Sequence, residues 1–229
     1  MRDPALLLGI DTCGPSGSVA LGRLAGQHVE ILGQAELAGR TYSSTLIAAA
    51  GELLARYDAS VKTLDAIVVV HGPGSFTGVR VGLSATKGLA EAAGIPVVAI
   101  SRLAVLAGKA GAPAASLDAN RHEIFLRMSG AGADTQERLT GVEELAAIPV
   151  PITPVAVCDE DSALLMASAW PGVTFLHVPP PTAADALMLA APRIAEGAFA
   201  NLVLLDGHYL RRSDAEIFGA AVSGGAQGA

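Results

Sequence analysis

Cysteine is nearly absent from this sequence. Cys13 and Cys158 stand far apart without C-x-x-C spacing, which excludes a zinc ribbon and a disulfide framework and leaves buried or idle thiols. Basic residues are outnumbered, 15 Lys and Arg against 22 Asp and Glu, for a net charge of -7. Such a chain lacks the cationic surface that neutralises phosphates, so contact with RNA is expected only through a partner. Long apolar runs are missing as well: Ala5 to Ile10 in MRDPALLLGID is stopped by Asp11, too short for a secretory core or a membrane span, and a cytoplasmic protein without membrane contact is expected. His28, His71, His122, His177 and His208 never fall at i, i+4 on a helix, so no metal pair is visible. Ser75 has no G-x-S-x-G context, and no histidine or cysteine is tied to it by spacing. No catalytic set emerges.

What is present is apolar. With 51% hydrophobic and 16% charged residues the chain is globular, with one large core or two small ones. ALLLGIDT (5–12), GSVALGRLA (17–25) and HVEILGQAEL (28–37) read as an antiparallel meander. A helix follows from about Ser44 to Tyr57, and DAIVVV (65–70) suits a strand covered on both faces. A second helix, a strand at IPVVAIS (95–101) and a boundary region at GKAGAP (108–113) complete the first half. AASLDANRHEIFLRM then repeats the plan of LLLGIDTCGPSGSVAL: a strand ending in Asp, a turn and a returning strand. Asp11 and Asp118 become equivalent positions. Later elements are helices near 142–147, 161–169 and 183–196, a strand near 152–157, and an extended GHYLR (207–211). The residues from about 219 onward carry too little side chain to offset the cost of ordering and are expected to form a mobile tail.

HGPGSFTGVRVGLSATKGLA (71–90) places Gly72, Gly74 and Gly78 between a strand and a helix start, where free N–H groups favour an anion. The Walker pattern is absent, however, and G-x-G-x-x-G fails at Thr77. A nucleotide reading would use Asp11, Gly72, Gly74, Ser75 and Asp118; the plainer reading is that each aspartate ends a strand and bonds turn amides.

On a helical wheel from Gly78 to Glu91, the polar residues Arg80, Ser84, Lys87 and Glu91 share one narrow arc and the rest is small or apolar. A helix so wide in its apolar arc is covered on more than one side. Gly78, Gly82, Ala85 and Leu89, with Val81 beside them, form a slim strip, and the first helix has a comparable second face at Ala48, Ala49, Glu52, Ala55 and Arg56. Either the two helices cover each other or they form a subunit interface, and the interface reading is preferred.

GPGSFTGVR-x-G at 72–82, after a strand and with LLLGIDT near the N-terminus, resembles the signature of the TsaB (YeaZ) family. The resemblance implies an α/β, two-lobed actin-like (ASKHA, ribonuclease-H-like) fold with mixed sheets flanked by helices, divided into lobes at 1–103 and 104–229. It implies a part in making N6-threonylcarbamoyladenosine at position 37 of tRNA, as a non-catalytic scaffold. The metal-holding catalyst would be the paralogue TsaD, with TsaE, an ATPase, binding the pair. The family pairs through the two first-lobe helices, as a TsaD heterodimer or as a homodimer when alone, and ADP or ATP at the interface with TsaD is the one cofactor implied. A magnesium-ATP phosphotransferase using Asp11 and Asp118 is the alternative. The sequence departs from the family pattern at Tyr42, Asn120, Phe125 and Gly207.

Overall fold

The computed structural model describes residues 2–39, 41–129 and 135–211. Strand β1 (Ala5–Asp11) pairs antiparallel with β2 (Gly17–Ala25), and β2 with β3 (His28–Leu37). On its other edge β1 runs parallel to β4 (Ala66–Val70), which runs parallel to β5 (Val97–Ile100). The sheet order is β3-β2-β1-β4-β5, and β4 is buried along its whole length, as its run of β-branched residues requires.

A second sheet is built from β6 (Ala114–Asp118), β7 (Glu123–Ser129), β8 (Thr135–Gly141), β9 (Val155–Val157) and β10 (Phe175–His177). Its order, β10-β9-β6-β7-β8, mirrors the first: a three-strand antiparallel meander with two parallel strands added beyond its first member. The duplication suggested by two short sequence matches thus extends over five strands. Asp11 and Asp118 end the equivalent strands β1 and β6.

Alternation along β1 decides which helix covers which face. Helix α1 (Tyr42–Arg56) contacts β2 and β3, and α2 (Phe76–Ala93) lies beside it on β1 and β4. On the opposite face α6 (Ala183–Ala195) crosses the sheet, with Ala183, Ala186, Leu187, Ala190, Ala191 and Ile194 buried in the first core. Helix α6 can lie this close because Gly9 of β1 has no side chain: a Cβ there would come 2.7 Å from the Ala183 carbonyl oxygen. The start of α6 is also tied down by a hydrogen bond from Ala183 N–H to Ser18 Oγ, 2.8 Å.

The lobes are not consecutive in sequence. Helix α3 (Arg102–Ala110) follows the first sheet yet turns Leu103, Leu106 and Ala107 toward Ala115, Leu117, Phe125 and Ala156 of the second. Helix α6 follows the second sheet and covers the first. A division between residues 103 and 104 falls inside α3 and leaves α6 with the wrong sheet, because each helix buries its apolar face across the boundary. Lys109 of α3 meets Asp185 of α6 at 2.8 Å where the two helices touch. The outer flank of the second sheet is closed by α4 (Val142–Ala146) and α5 (Glu160–Ala169), pinned by the buried Trp170, whose indole N–H donates to the Leu145 and Ile148 carbonyls. The tail expected from about 219 lies outside the described residues.

Gly9→Ala is expected to lower unfolding free energy by about 1–3 kcal/mol, since the clash is with backbone rather than a movable side-chain end. Chemical denaturation of the variant against the native chain measures it.

Candidate functional site

The carboxyl ends of β1 and β6 face each other across a cavity of about 1320 Å³. Its walls are the β1–β2 turn (Cys13 to Ser16), the N-terminal turn of α2, the β6–β7 turn (Asp118 to Arg121), and an extended strap, 206–211, that crosses from one lobe to the other. A cleft between the carboxyl ends of strands is where open α/β sheets place ligands.

The two aspartates do the same local work. Asp11, 1% exposed, accepts the Cys13 N–H at 2.8 Å, and Asp118 accepts the Asn120 N–H at 2.9 Å. Each closes an Asx turn that starts the hairpin. Burial pushes the Asp11 carboxyl above its usual range, opposed by the Arg102 guanidinium, whose Nε lies 3.9 Å from Oδ2. Asp118 also donates its N–H to Asp159 Oδ2, 3.1 Å, so the β6 turn is held to the start of α5.

Gly74, Gly78 and Gly82 let α2 and its entry loop lie directly on the end of β1. Cβ atoms at Gly74, Gly78 and Gly82 would come 2.2 Å from Cys13 O, 2.0 Å from Thr12 O and 2.4 Å from Thr12 Oγ1. Thr12 Oγ1 donates to Gly78 O at 2.7 Å, and Ser75 N–H to Cys13 O at 2.8 Å. This corrects the expectation that Gly78 and Gly82 line a subunit interface: both are buried against their own β1. Of the other residues assigned to that interface, Ala48 and Glu52 are exposed, while Ala49, Val81, Ala85 and Leu89 are half-buried on the first core. Gly72 is buried beneath the strap, a Cβ there lying 3.0 Å from His208 O, and Ser75 caps α2 by accepting the Gly78 N–H. Gly72, Gly74 and Ser75 thus have packing and capping tasks of their own.

Neither thiol is activated by its surroundings. Cys13 Sγ donates to Val70 O at 3.1 Å and burial raises its pKa well above the ordinary range; burial also raises Cys158. Among the described residues no three His, Cys, Asp or Glu side chains gather to hold a metal, and no described helix is long and apolar enough to cross a membrane.

The strap is fastened through Glu137 of β8, 8% exposed, a residue that sequence reasoning overlooked. Its carboxylate accepts from Ser101 Oγ at the start of α3, from Arg127 of β7, and from His208 of the strap at 2.8 Å. Burial alone would raise its pKa; the hydrogen bonds from His208, Ser101 and Arg127 outweigh that and hold it below the ordinary range. The His208 ring also stacks on His71 at 5.5 Å, the His208 backbone N–H donates to His71 O at 2.7 Å, and burial lowers the His71 pKa. Farther along, Tyr209 meets Phe76 at 5.0 Å, Arg80 lies over the Phe76 ring at 3.8 Å, and Arg211 pairs with Glu123.

The four departures from the family pattern have physical roles. Tyr42 is buried, its hydroxyl donating to Gly14 O at 2.8 Å; Asn120 takes a left-handed backbone in the β6–β7 turn; Phe125 is buried beside α3. At Gly207 a side chain would run into the Tyr209 ring at 2.5 Å.

The family model for TsaD, tRNA N6-adenosine threonylcarbamoyltransferase, matches residues 33–157. The chain is 37% identical over 125 residues to the tRNA threonylcarbamoyladenosine biosynthesis protein TsaB of Haemophilus influenzae, a match covering 52% of this chain and 51% of that protein. Its Escherichia coli counterpart is 31% identical, covering 52% of each. The chain thus spans about half the length of the curated relatives it matches. The structure of YeaZ from Pseudomonas aeruginosa superposes with a TM-score of 0.73 at 26% identity, covering 90% of this chain and all of that one.

The folded pKa of Glu137 lies below its unfolded value, so its contribution is full above the unfolded value of about 4.3 and fades as pH falls through the folded one. Glu137→Gln should cost about 1–3 kcal/mol at neutral pH and progressively less under acidic conditions, as read from urea denaturation across a pH series. A cost independent of pH would contradict the charge-assisted clasp.

Proposed function

The chain belongs to the family of the TsaD model and, within it, to the TsaB (YeaZ) proteins; from that premise we propose that it is a non-catalytic partner subunit in forming N6-threonylcarbamoyladenosine in tRNA. It docks on the threonylcarbamoyltransferase TsaD through the outer face of α1 and α2, and the pair supports binding of TsaE. The tRNA is engaged through the assembled complex, in keeping with a net charge of -7. ADP or ATP would sit at the interface with TsaD, and in isolation the same face joins two copies.

The observation that carries this reading is the character of that face. Ile47 is 54% exposed between Ser44 and Gly51 on α1, and Cβ atoms placed on Gly51 or on Gly88 of α2 would meet nothing within 4 Å. Glycine in a helix interior costs about 0.5–1 kcal/mol relative to alanine. Here the chain's own fold gains no closeness from these two glycines, unlike Gly78 and Gly82. A second backbone lying against the helices would. Exposed Ala48 and Ala55 extend the same low surface on α1. The phosphotransferase reading has less support, because Asp11 and Asp118 each spend a carboxylate oxygen on their own turn.

Gly51→Arg and Gly88→Arg provide the test. Each fills open space and improves helix propensity, so the thermal midpoint should stay the same or rise, while co-elution with the same organism's TsaD on size exclusion is lost. Normal co-elution of both variants would refute the assignment of the face.

A further inference from the structure

Among the described residues, Arg102 is a buried cation without a matching set of acceptors. It opens α3, its N–H donating to Gly72 O at 2.7 Å, and its side chain is 7% exposed. The guanidinium lies under the β1–β2 turn, so close that a Cβ on Gly14 would come 2.4 Å from Nη2. Its Nε is buried and has no hydrogen-bond partner among the described residues. The opposite charge beside it among the described residues, Asp11 Oδ2, stands at 3.9 Å, outside hydrogen-bond reach, and the other Asp11 oxygen is occupied by Cys13 N–H. Buried guanidinium groups are normally retained with their donors satisfied, because desolvating the charge is otherwise costly. Arg102 nevertheless lines the cleft.

A second donor set enters the same wall of the cavity. The 18-residue helix α2 begins there; with the Ser75 N–H on Cys13 O and the Gly78 N–H on Ser75 Oγ, the N–H groups of Phe76 and Thr77 are the donors this turn presents. The first N–H groups of a helix have no intrahelical carbonyl to serve, and the positive end of the helix dipole adds to them. Helix start and guanidinium converge on one turn: Ser75 is bonded to Cys13, and Arg102 lies against Gly14. The opposite wall is mixed in charge, carrying Asp118, Asp159 and Asp161 together with Arg121 and Arg211.

We propose that Arg102 and the N-terminal turn of α2 form an oxyanion site in the cleft, taking the carboxylate or phosphate of a small molecule. The planar guanidinium offers paired donors matched to either group, and the glycine at position 14 leaves it uncovered by side chain. The site lies at the N-terminal end of α2, whereas Gly51 and Gly88 lie on the outer face of the two helices.

The test is calorimetric titration of the full chain with sodium phosphate and with sodium acetate, at constant ionic strength set by sodium chloride. Saturable binding of at least one probe in the millimolar range is expected, and the preferred probe identifies the source of the oxyanion. Arg102→Met should weaken that binding by about tenfold or more; Arg102→Lys, which keeps the charge but not the fork, should weaken it severalfold. Circular dichroism checks folding, and if the methionine variant does not fold the lysine variant decides. Absence of saturable binding by the native chain, or equal binding by the native chain and the folded variants, overturns the proposal.

Discussion

The rest of the molecule is arranged around the close approach of α2 to the end of β1. Carbonyl oxygens of Thr12 and Cys13 occupy the positions that side chains at Gly78 and Gly74 would need. With the helix seated there, its first turn opens into the cleft and its far side is presented outward. The same seating brings the β4–α2 loop beneath the strap, so His71 can meet His208. Any larger residue at these glycines would lift the helix and disturb cleft, strap and outer face together.

Much of this architecture was legible in sequence because it rests on local patterns. The meander declared itself through apolar strands separated by turn residues, and β4 through its valines. The repeated strand, aspartate and turn was a faint sign of what proved to be a five-strand duplication. Helix α3 was hidden by the small residues of its last turn, Gly108 to Ala110, which read as linker. Strands β8 and β10 lack strong alternation: β8 is mostly polar on both faces, and β10 has three residues.

The site was less legible, for a physical reason. A helical wheel shows that Gly78 and Gly82 share a strip but not which neighbour the strip meets. The direction comes from the alternation of β1, which turns Ile10 and Thr12 toward α2 and Gly9 toward α6. Glu137 and Arg102 carry no motif; each matters through what distant segments bring to it. One available signal was Arg102 itself, a charge opening the otherwise apolar RLAVLAG. For the aspartates, the plainer of the two readings matches their bonds: each holds a hairpin turn.

The crossing of α3 and α6 bears on how the protein comes into being. During synthesis the first sheet is complete in sequence by Ile100, yet the face later covered by α6 stays bare until residues 183–195 leave the ribosome. For the intervening stretch of translation that naked apolar surface is open to aggregation or to a chaperone. The amino-terminal half therefore cannot mature ahead of the carboxy-terminal half, and the nascent chain must wait for α6.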